Sequence, residues 1–202
     1  MEKLLTLFII LVIVVVAVIG FIYFYRGEFF KEKQTTESNE QFVSSRLEPV
    51  KTLVQNCVQK SALKGLVLLG KQGGKFKPYK YEELAGINVS YACYKSNNEV
   101  VNQLPLLSNI NDELNSYLLD AKTMDEINNC VDDFNSFKKQ GLNVREKGKL
   151  SFDSNILESN VRVDIQYSLD VNKGDYTASL KEMFTEIPAG LGKAHKVAVD
   201  IA

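Results

Sequence analysis

The stretch that decides the fold is residues 161–171, Val-Arg-Val-Asp-Ile-Gln-Tyr-Ser-Leu-Asp-Val. Apolar and polar side chains alternate along it without a break. Because successive side chains of a strand point to opposite faces of a sheet, this pattern predicts a strand with one buried and one hydrated face. A hydrated face is typical of antiparallel sheets. We therefore expect an antiparallel sheet built on this strand.

The segments on either side extend this prediction. Residues 142–153 are expected to pair beside the strand, and Asn172-Lys173-Gly174-Asp175 is typical of a turn. Residues 188–202 have the pattern of a modest amphipathic helix. The C-terminal part of the chain thus predicts strands followed by a helix.

Two helices are predicted ahead of the sheet. The first covers about residues 109–121, and its apolar face consists of Ile110, Leu114, Tyr117 and Leu118. The second covers about residues 124–139, with Thr123 and Glu126 as a capping box and Gly141 closing it. Its expected buried side consists of Met124, Ile127, Cys130, Val131 and Phe134.

A longer helix is predicted near the start of the domain. Ser45 and Glu48 form a capping box, and Pro49 falls in the first turn, where a missing N–H costs little. Gly70 and the Gly73-Gly74 pair end the helix. Its apolar stripe consists of Leu47, Val50, Val54, Cys57, Val58, Ala62, Leu66 and Leu69.

Residues 75–94 predict extended structure between these helices. Residues 87–94 alternate as one strand, whereas residues 75–81 are aromatic and basic and contain a proline, as in an edge strand or extended loop. Phe76, Tyr79 and Tyr81 form a candidate interaction edge, because exposed tyrosines bury a large area at low entropy cost. The alternative is that these rings cover the end of the core.

This order of elements predicts an α+β domain over residues 46–202, with an antiparallel sheet and about four helices. Ahead of it, residues 4–25 contain no charged side chain. As a helix this run is roughly 33 Å long, which is enough to cross a hydrocarbon core of about 30 Å. We predict a transmembrane anchor at residues 4–25 and a polar stalk at residues 26–45. A cleaved signal peptide, the alternative, would have a shorter apolar region and a small-residue cleavage site.

The residues leave the orientation of the domain open. Lys3 precedes the predicted span and Arg26, Lys31 and Lys33 follow it, so the positive-inside rule favours a cytoplasmic domain. The Asn88-Val89-Ser90 sequon and the cysteines favour the exterior. However, three cysteines are an odd number, so a disulfide is not implied by their count.

Composition and motifs do not indicate an enzyme. The formal net charge of −1 argues against a nucleic-acid partner, which would require a strongly basic surface. Residues 65–71 match the letters of a phosphate-binding loop, but they belong to the predicted helix, and Gln72 replaces the Ser or Thr that binds magnesium. The single histidine, His195, has no partner pattern for catalysis and is expected at the surface. We predict no enzymatic activity, no cofactor and no metal site, and a hydrolase without a recognisable motif is the enzymatic alternative.

Three segments together carry a resemblance to a known family. They are the helix and its exit, Val54-Gln55-Asn56-Cys57-Val58 to Leu68-Leu69-Gly70-Lys71-Gln72-Gly73-Gly74, the segment from Cys130 to Phe134, and the strand from Asn160. Over residues 45–200 the chain resembles an uncharacterised family of small single-span membrane-anchored archaeal proteins with an extracytoplasmic α+β domain.

The resemblance implies an external domain with a disulfide between Cys57 and Cys130. Cys93 departs from the family pattern and is expected to be a small apolar residue on its strand. The family has no established activity, so the resemblance supplies topology only.

Two functions remain open at this stage. One is a membrane-anchored, extracytoplasmic binding or assembly module, which is non-enzymatic and has a cell-envelope protein or a second copy as its partner. The alternative is a pilin-like filament subunit built on the apolar N-terminal helix. Met1-Glu2-Lys3 contains no small residue at which a processing enzyme would cleave.

Overall fold

The computed structural model describes residue 21 and residues 41–201. The predicted anchor, except Phe21, and residues 26–40 of the predicted stalk lie outside the described residues. Within the described part no helix has the length and apolar character needed to cross a membrane. The elements are α1 (41–71), β1 (Tyr81–Leu84), β2 (Ile87–Ser90), β3 (Cys93–Ser96), β4 (Glu99–Asn102), α2 (Leu107–Leu119), α3 (Ala121–Val131), a 3₁₀ turn (Asp132–Phe134), α4 (Asn135–Lys138), β5 (Asn143–Glu146), β6 (Ser151–Ile156), β7 (Asn160–Lys173), β8 (Tyr176–Pro188) and α5 (Leu191–Ile201).

Strand β7 is the centre of a four-stranded antiparallel sheet, which confirms the predicted α+β class. Strand β8 pairs along one edge of β7, and β5 and β6 lie one after the other along the opposite edge. The predicted alternation is also confirmed, because every second side chain of β7 is buried. These buried side chains are Val161, Val163, Ile165, Tyr167, Leu169 and Val171.

Strand β8 changes the parity of its buried residues along its length. The pairing of β7 with β8 shifts between Gln166 and Leu169. On one side of this bulge the even-numbered Ala178 and Leu180 pack on the core, and on the other side the odd-numbered Met183 and Ile187 are buried. Since a bulge interrupts the two-residue period, residues 176–188 lack the continuous alternation that would have predicted a strand.

Helix α1 lies against the sheet through its predicted apolar stripe, but it begins earlier than the sequence indicated. The backbone is already helical at residue 41, and Val43 is fully buried in the core. Ser45 therefore does not cap the helix, and its hydroxyl donates to the Phe42 carbonyl at 2.8 Å. The predicted capping box is wrong because burial of Val43 favours a further helical turn over the local start signal.

The free edge of β8 is covered by amide side chains of α1. Gln55 Nε2 donates to the Phe184 carbonyl at 2.5 Å, and Gln59 Nε2 donates to the Glu186 carbonyl at 3.0 Å. Positions i and i+4 of a helix are about 6 Å apart, close to the roughly 6.6 Å between positions i and i+2 of a strand. This match allows a helix to bond alternate backbone groups of a strand lying beside it.

Helix α2 covers the β6 part of the opposite edge of the sheet in the same way. Asn115 Oδ1 accepts the Ser154 backbone N–H at 2.9 Å, and Asn111 Oδ1 accepts that of Ile156 at 3.1 Å. The Ser154 hydroxyl also donates to the Asn111 carbonyl. The β6 edge thus meets acceptors and the β8 edge meets donors, so helix side chains satisfy backbone groups that would otherwise be free to pair with another chain.

The prediction of one helix over residues 124–139 is wrong about where the helix begins and about its continuity. It begins at Ala121, where the Asp120 carboxylate accepts the Lys122 backbone N–H at 3.1 Å, and Thr123 is buried inside it. It ends at Val131, because the three residues of the 3₁₀ turn have φ of 48° to 56°. Aspartate tolerates this left-handed conformation, so the two aspartates in the turn make the break possible. Gly141, with φ of 80°, closes the segment as predicted.

A disulfide joins α1 to α3. Cys57 and Cys130 have an Sγ–Sγ distance of 2.07 Å and a Cα–Cα distance of 5.7 Å, and this is the pairing that the resemblance implied. Cys57 is buried, whereas Cys130 is exposed. Lys64 Nζ lies 2.6 Å from Glu126 Oε2 between the same two helices. This hydrogen-bonded ion pair lowers the pKa of Glu126 and raises that of Lys64.

Removing an acceptor from the β6 edge tests the role of the α2 amides. The variant Asn111→Ala leaves the Ile156 N–H without its partner, so we expect the free energy of unfolding to fall by about 1–2 kcal/mol. Asn109→Ala, at an exposed position of the same helix, should change it by less than about 0.5 kcal/mol. Urea unfolding of both variants measures the difference. Equal stabilities would contradict the role of Asn111.

Loss of the disulfide should lower stability by about 2–4 kcal/mol, because the bond closes a loop with a sequence separation of 73 residues in the unfolded chain. The variant for this test is Cys130→Ser, since that position is exposed and accepts a hydroxyl. Cys93→Ser is the matched control, because Cys93 is exposed and unbonded. Denaturant unfolding with and without reductant should show a reductant effect in the control but not in Cys130→Ser.

Candidate binding surface

Residues 75–102, called the arm below, form an extension between α1 and α2. After a loop at residues 75–80, β1 pairs with β2 and β3 pairs with β4, each as a separate antiparallel hairpin. Asn97 and Asn98 both have positive φ, as a two-residue hairpin turn requires. The single strand predicted over residues 87–94 is wrong, because the chain leaves the first hairpin at Ser90 and enters the second at Cys93.

Backbone contacts attach the arm to the domain at both ends. Gly73 and Gly74 have φ of 73° and 85°, so the chain turns sharply where α1 ends. The Ser90 N–H donates to the Gln72 carbonyl at 3.1 Å, and the Gln103 N–H donates to the Ala92 carbonyl at 2.7 Å. The arm therefore leaves and rejoins the domain through defined hydrogen bonds.

The arm contributes no fully buried residue to the hydrophobic core. Along the chain the core side chains pass from Leu69 in α1 to Ile110 in α2, and the buried Gly74 and Pro105 between them lie outside the arm. None of the sixteen strand residues in the two hairpins is buried. The arm nevertheless exposes large apolar side chains, namely Tyr79, Tyr81, Leu84, Tyr91 and Val100. These side chains are thus available for contact and are not needed to fill the core.

The three residues of the predicted interaction edge divide into two groups. Tyr79 is 83% exposed and Tyr81 is 47% exposed, so both rings are accessible. Phe76 is half-buried against the core, and its ring stacks on Tyr117 with centroids 5.0 Å apart. Its backbone N–H donates to Glu113 Oε2 at 3.2 Å. The alternative interpretation, a ring that covers the end of the core, thus describes Phe76, while the two tyrosines remain surface candidates.

Side-chain contacts order two aromatic residues of the arm, Tyr91 and Tyr94. The Tyr91 hydroxyl donates to Glu82 Oε2 at 3.0 Å, and this hydrogen bond raises the pKa of Tyr91. Lys80 Nζ lies 4.1 Å from the centroid of the Tyr94 ring, which ties the loop to the second hairpin. Such contacts reduce the side-chain entropy that binding would otherwise have to remove.

An open groove of about 710 Å³ lies at the base of the arm, between residues 76–77 and helix α2. The aromatic rings of Phe76 and Tyr117 line it, and so do the carboxylates Asp112, Glu113 and Asp120. Lys77 is the one basic residue in its lining. The base of the arm therefore combines aromatic surface with predominantly negative charge.

Residues 65–71, whose sequence matches a phosphate-binding loop, are part of helix α1, as expected from the sequence. Gly65 has a packing role, because a Cβ atom at that position would lie 2.7 Å from Tyr117 Cδ1. The glycine therefore allows α1 and α2 to approach closely. A helical backbone cannot form the cradle that a phosphate needs.

The remaining chemical groups are dispersed. His195 is half-buried, not at the open surface as expected, and its Nε2 lies 2.6 Å from the Pro105 carbonyl. Cys93 lies on a strand as expected, but its side chain is exposed. Among residues 41–201 no group of three or more His, Cys, Asp or Glu side chains could hold a metal ion.

Comparison with known proteins identifies no relative of this chain. No model of a known family, no curated protein and no solved structure matches the chain. An inference of function therefore depends on the chemistry of the described residues.

Proposed function

We propose that this chain is a membrane-anchored, extracytoplasmic binding or assembly module without enzymatic activity. The observation that carries the proposal is that the buried core and the exposed apolar side chains of the arm are in different parts of the chain. Helices and sheet bury the apolar residues on which stability depends, whereas the arm exposes aromatic and aliphatic side chains that the core does not use. Exposed apolar side chains on ordered secondary structure are typical of protein-contact surfaces.

The chemistry of the arm favours a protein partner. Tyrosine provides large contact area with few rotatable bonds, and a hydroxyl that can bond to the partner. Each hairpin also has strands without a second neighbour in the described part of the chain, and such edges can accept an added strand. A component of the cell envelope is the partner class that fits an anchored domain of this kind.

Two features support an external location. Disulfides persist in oxidising compartments and are rare in the cytoplasm of most cells, so the Cys57–Cys130 bond favours a domain outside the cytoplasm. The family resemblance implies the same orientation. The apolar run at residues 4–25 is the proposed anchor. The basic residues that follow the run favour the opposite orientation, so a direct test is needed.

A pilin-like filament subunit is the alternative. It is favoured by α1, which extends over residues 41–71 and follows the apolar run along the chain. In that case the N-terminal helices of many copies would pack together in a filament. A mature protein that keeps Met1 would exclude a processed pilin of this kind.

Labelling of Cys93 tests the location directly, because this thiol is exposed and unbonded. A membrane-impermeant maleimide should label Cys93 in intact cells without reductant, and Cys93→Ser should abolish this labelling. Cys130, which is exposed, should become reactive after reduction alone, whereas the buried Cys57 should also require unfolding. Labelling of Cys93 that requires cell lysis would place the domain in the cytoplasm and overturn the proposed location.

Substitution of the exposed tyrosines tests the binding role. Tyr79→Ser with Tyr81→Ser should change the free energy of unfolding by less than about 0.5 kcal/mol, because neither ring belongs to the core. A photo-crosslinking residue at position 84, on β1, should capture a discrete envelope protein in intact cells, and the double substitution should abolish that product. The matched control is Leu119→Ser, which removes an exposed apolar side chain outside the arm. Crosslinks that survive the double substitution would contradict the proposal.

A further inference from the structure

Helix α1 has an exposed apolar face in addition to its buried one. Leu63 is 48% exposed, Val67 is 49% exposed, and Leu68 lies beside them. Lys60, Lys64 and Lys71 surround these side chains, and together the six residues line a shallow cleft of about 550 Å³. We call these six residues the basic face. Because Leu63 and Val67 are one helical turn apart, they form a continuous apolar strip.

The basic face adjoins the acidic groove at the base of the arm. Tyr117 lines both surfaces and lies between them. The absence of a side chain at Gly65 brings α1 and α2 together at this ring. The two surfaces of opposite charge are thus held side by side by the packing of the core.

Some of the charges on these surfaces are already paired, and others are not. Lys64 pairs with Glu126, and the Glu113 carboxylate accepts the Phe76 N–H. Within residues 41–201, by contrast, Lys60, Lys71 and Asp112 form no ion pair. The basic face therefore keeps two unpaired ammonium groups, and the groove keeps an unpaired carboxylate.

We propose that a second copy of this chain covers the two surfaces, related to the first by a twofold axis near Tyr117. In a twofold dimer, contact of surface A with surface B is repeated as contact of B with A. A twofold axis that runs along the boundary between two adjoining surfaces places each surface of one copy against the other surface of its partner. The basic face of one copy then contacts the acidic groove of its partner. The apolar strip of Leu63 and Val67 contacts the aromatic rings that line that groove.

Charge complementarity favours a second copy over other occupants. An anionic lipid surface would be attracted by the lysines but repelled by the carboxylates that lie beside them. A partner must therefore present negative and positive regions next to each other, in the reverse order. A second copy of the chain has this arrangement by symmetry. Lys77 is the one basic group of the groove that the complementarity does not use.

The inference rests on the assembly role proposed above, but it uses a surface separate from the exposed tyrosines of the arm. The test is sedimentation velocity of the full chain in a nonionic detergent. We expect a concentration-dependent dimer that weakens as salt is raised, because exposed charges are screened. Lys60→Glu with Lys71→Glu should weaken dimerisation by about tenfold or more, and so should Asp112→Lys alone.

Mixing the two variant proteins provides the decisive comparison. In the mixed dimer the reversed basic face contacts the reversed groove, and the unaltered groove contacts the unaltered basic face, so association should return toward the original strength. Lys139→Glu, an exposed charge reversal outside both surfaces, is the matched control and should leave the dimer unchanged.

Three results would overturn the inference. They are a chain that stays monomeric up to about 100 μM, a dimer that neither charge reversal weakens, and a mixture that does not recover. The second would assign association to the apolar N-terminal run or to another surface. Tyr79→Ser with Tyr81→Ser should leave the dimer intact, so failure of the arm as a binding site and failure of this dimer are distinguishable.

Discussion

The backbone groups at the two edges of a narrow sheet are the constraint on which the rest of this domain depends. A sheet with only one central strand has a high proportion of edge, and unpaired N–H and C=O groups at an edge invite pairing with other chains. Glutamine side chains of α1 donate to carbonyl groups on the β8 edge, and asparagine side chains of α2 accept N–H groups of β6 on the opposite edge. The helices must therefore lie along the strands at a set distance and register.

This placement explains the remaining contacts of α1. A helix held along β8 is joined to α3 through Cys57, and Gly65 allows it to approach α2 closely at Tyr117. One helix thus contacts the sheet edge, the disulfide-bonded helix and the groove-forming helix. Because these contacts are shared, the surfaces on both sides of Tyr117 have a defined geometry even though they lie at the exterior.

The arm follows a different physical rule. Its hairpins are held by their own ladders, by positive-φ turns and by a few hydrogen bonds to neighbouring loops. Apart from Phe76, which stacks on Tyr117, its aromatic side chains contribute little to the core. The buried core and the exposed apolar side chains of the arm therefore belong to different segments of the chain. This separation supports the proposed binding role of the arm.

The sequence by itself determined the class of the domain, the strand at residues 161–171 and the apolar stripe of α1, because each depends on a local period of two or 3.6 residues. It also identified Phe76, Tyr79 and Tyr81 as surface candidates, and of these Phe76 instead stacks on Tyr117. It did not determine where α1 begins, since burial of Val43 outweighs the signal at Ser45. Nor did it determine the break after Val131 or the course of β8, where three left-handed residues and a bulge interrupt the period. The Asn97-Asn98 turn was a local signal for the second hairpin that the apparent alternation of residues 87–94 concealed.

The amide closure of both sheet edges and the juxtaposition of basic face and acidic groove were decided only by tertiary structure. Each joins residues far apart in the chain, and no local pattern encodes which residues will meet.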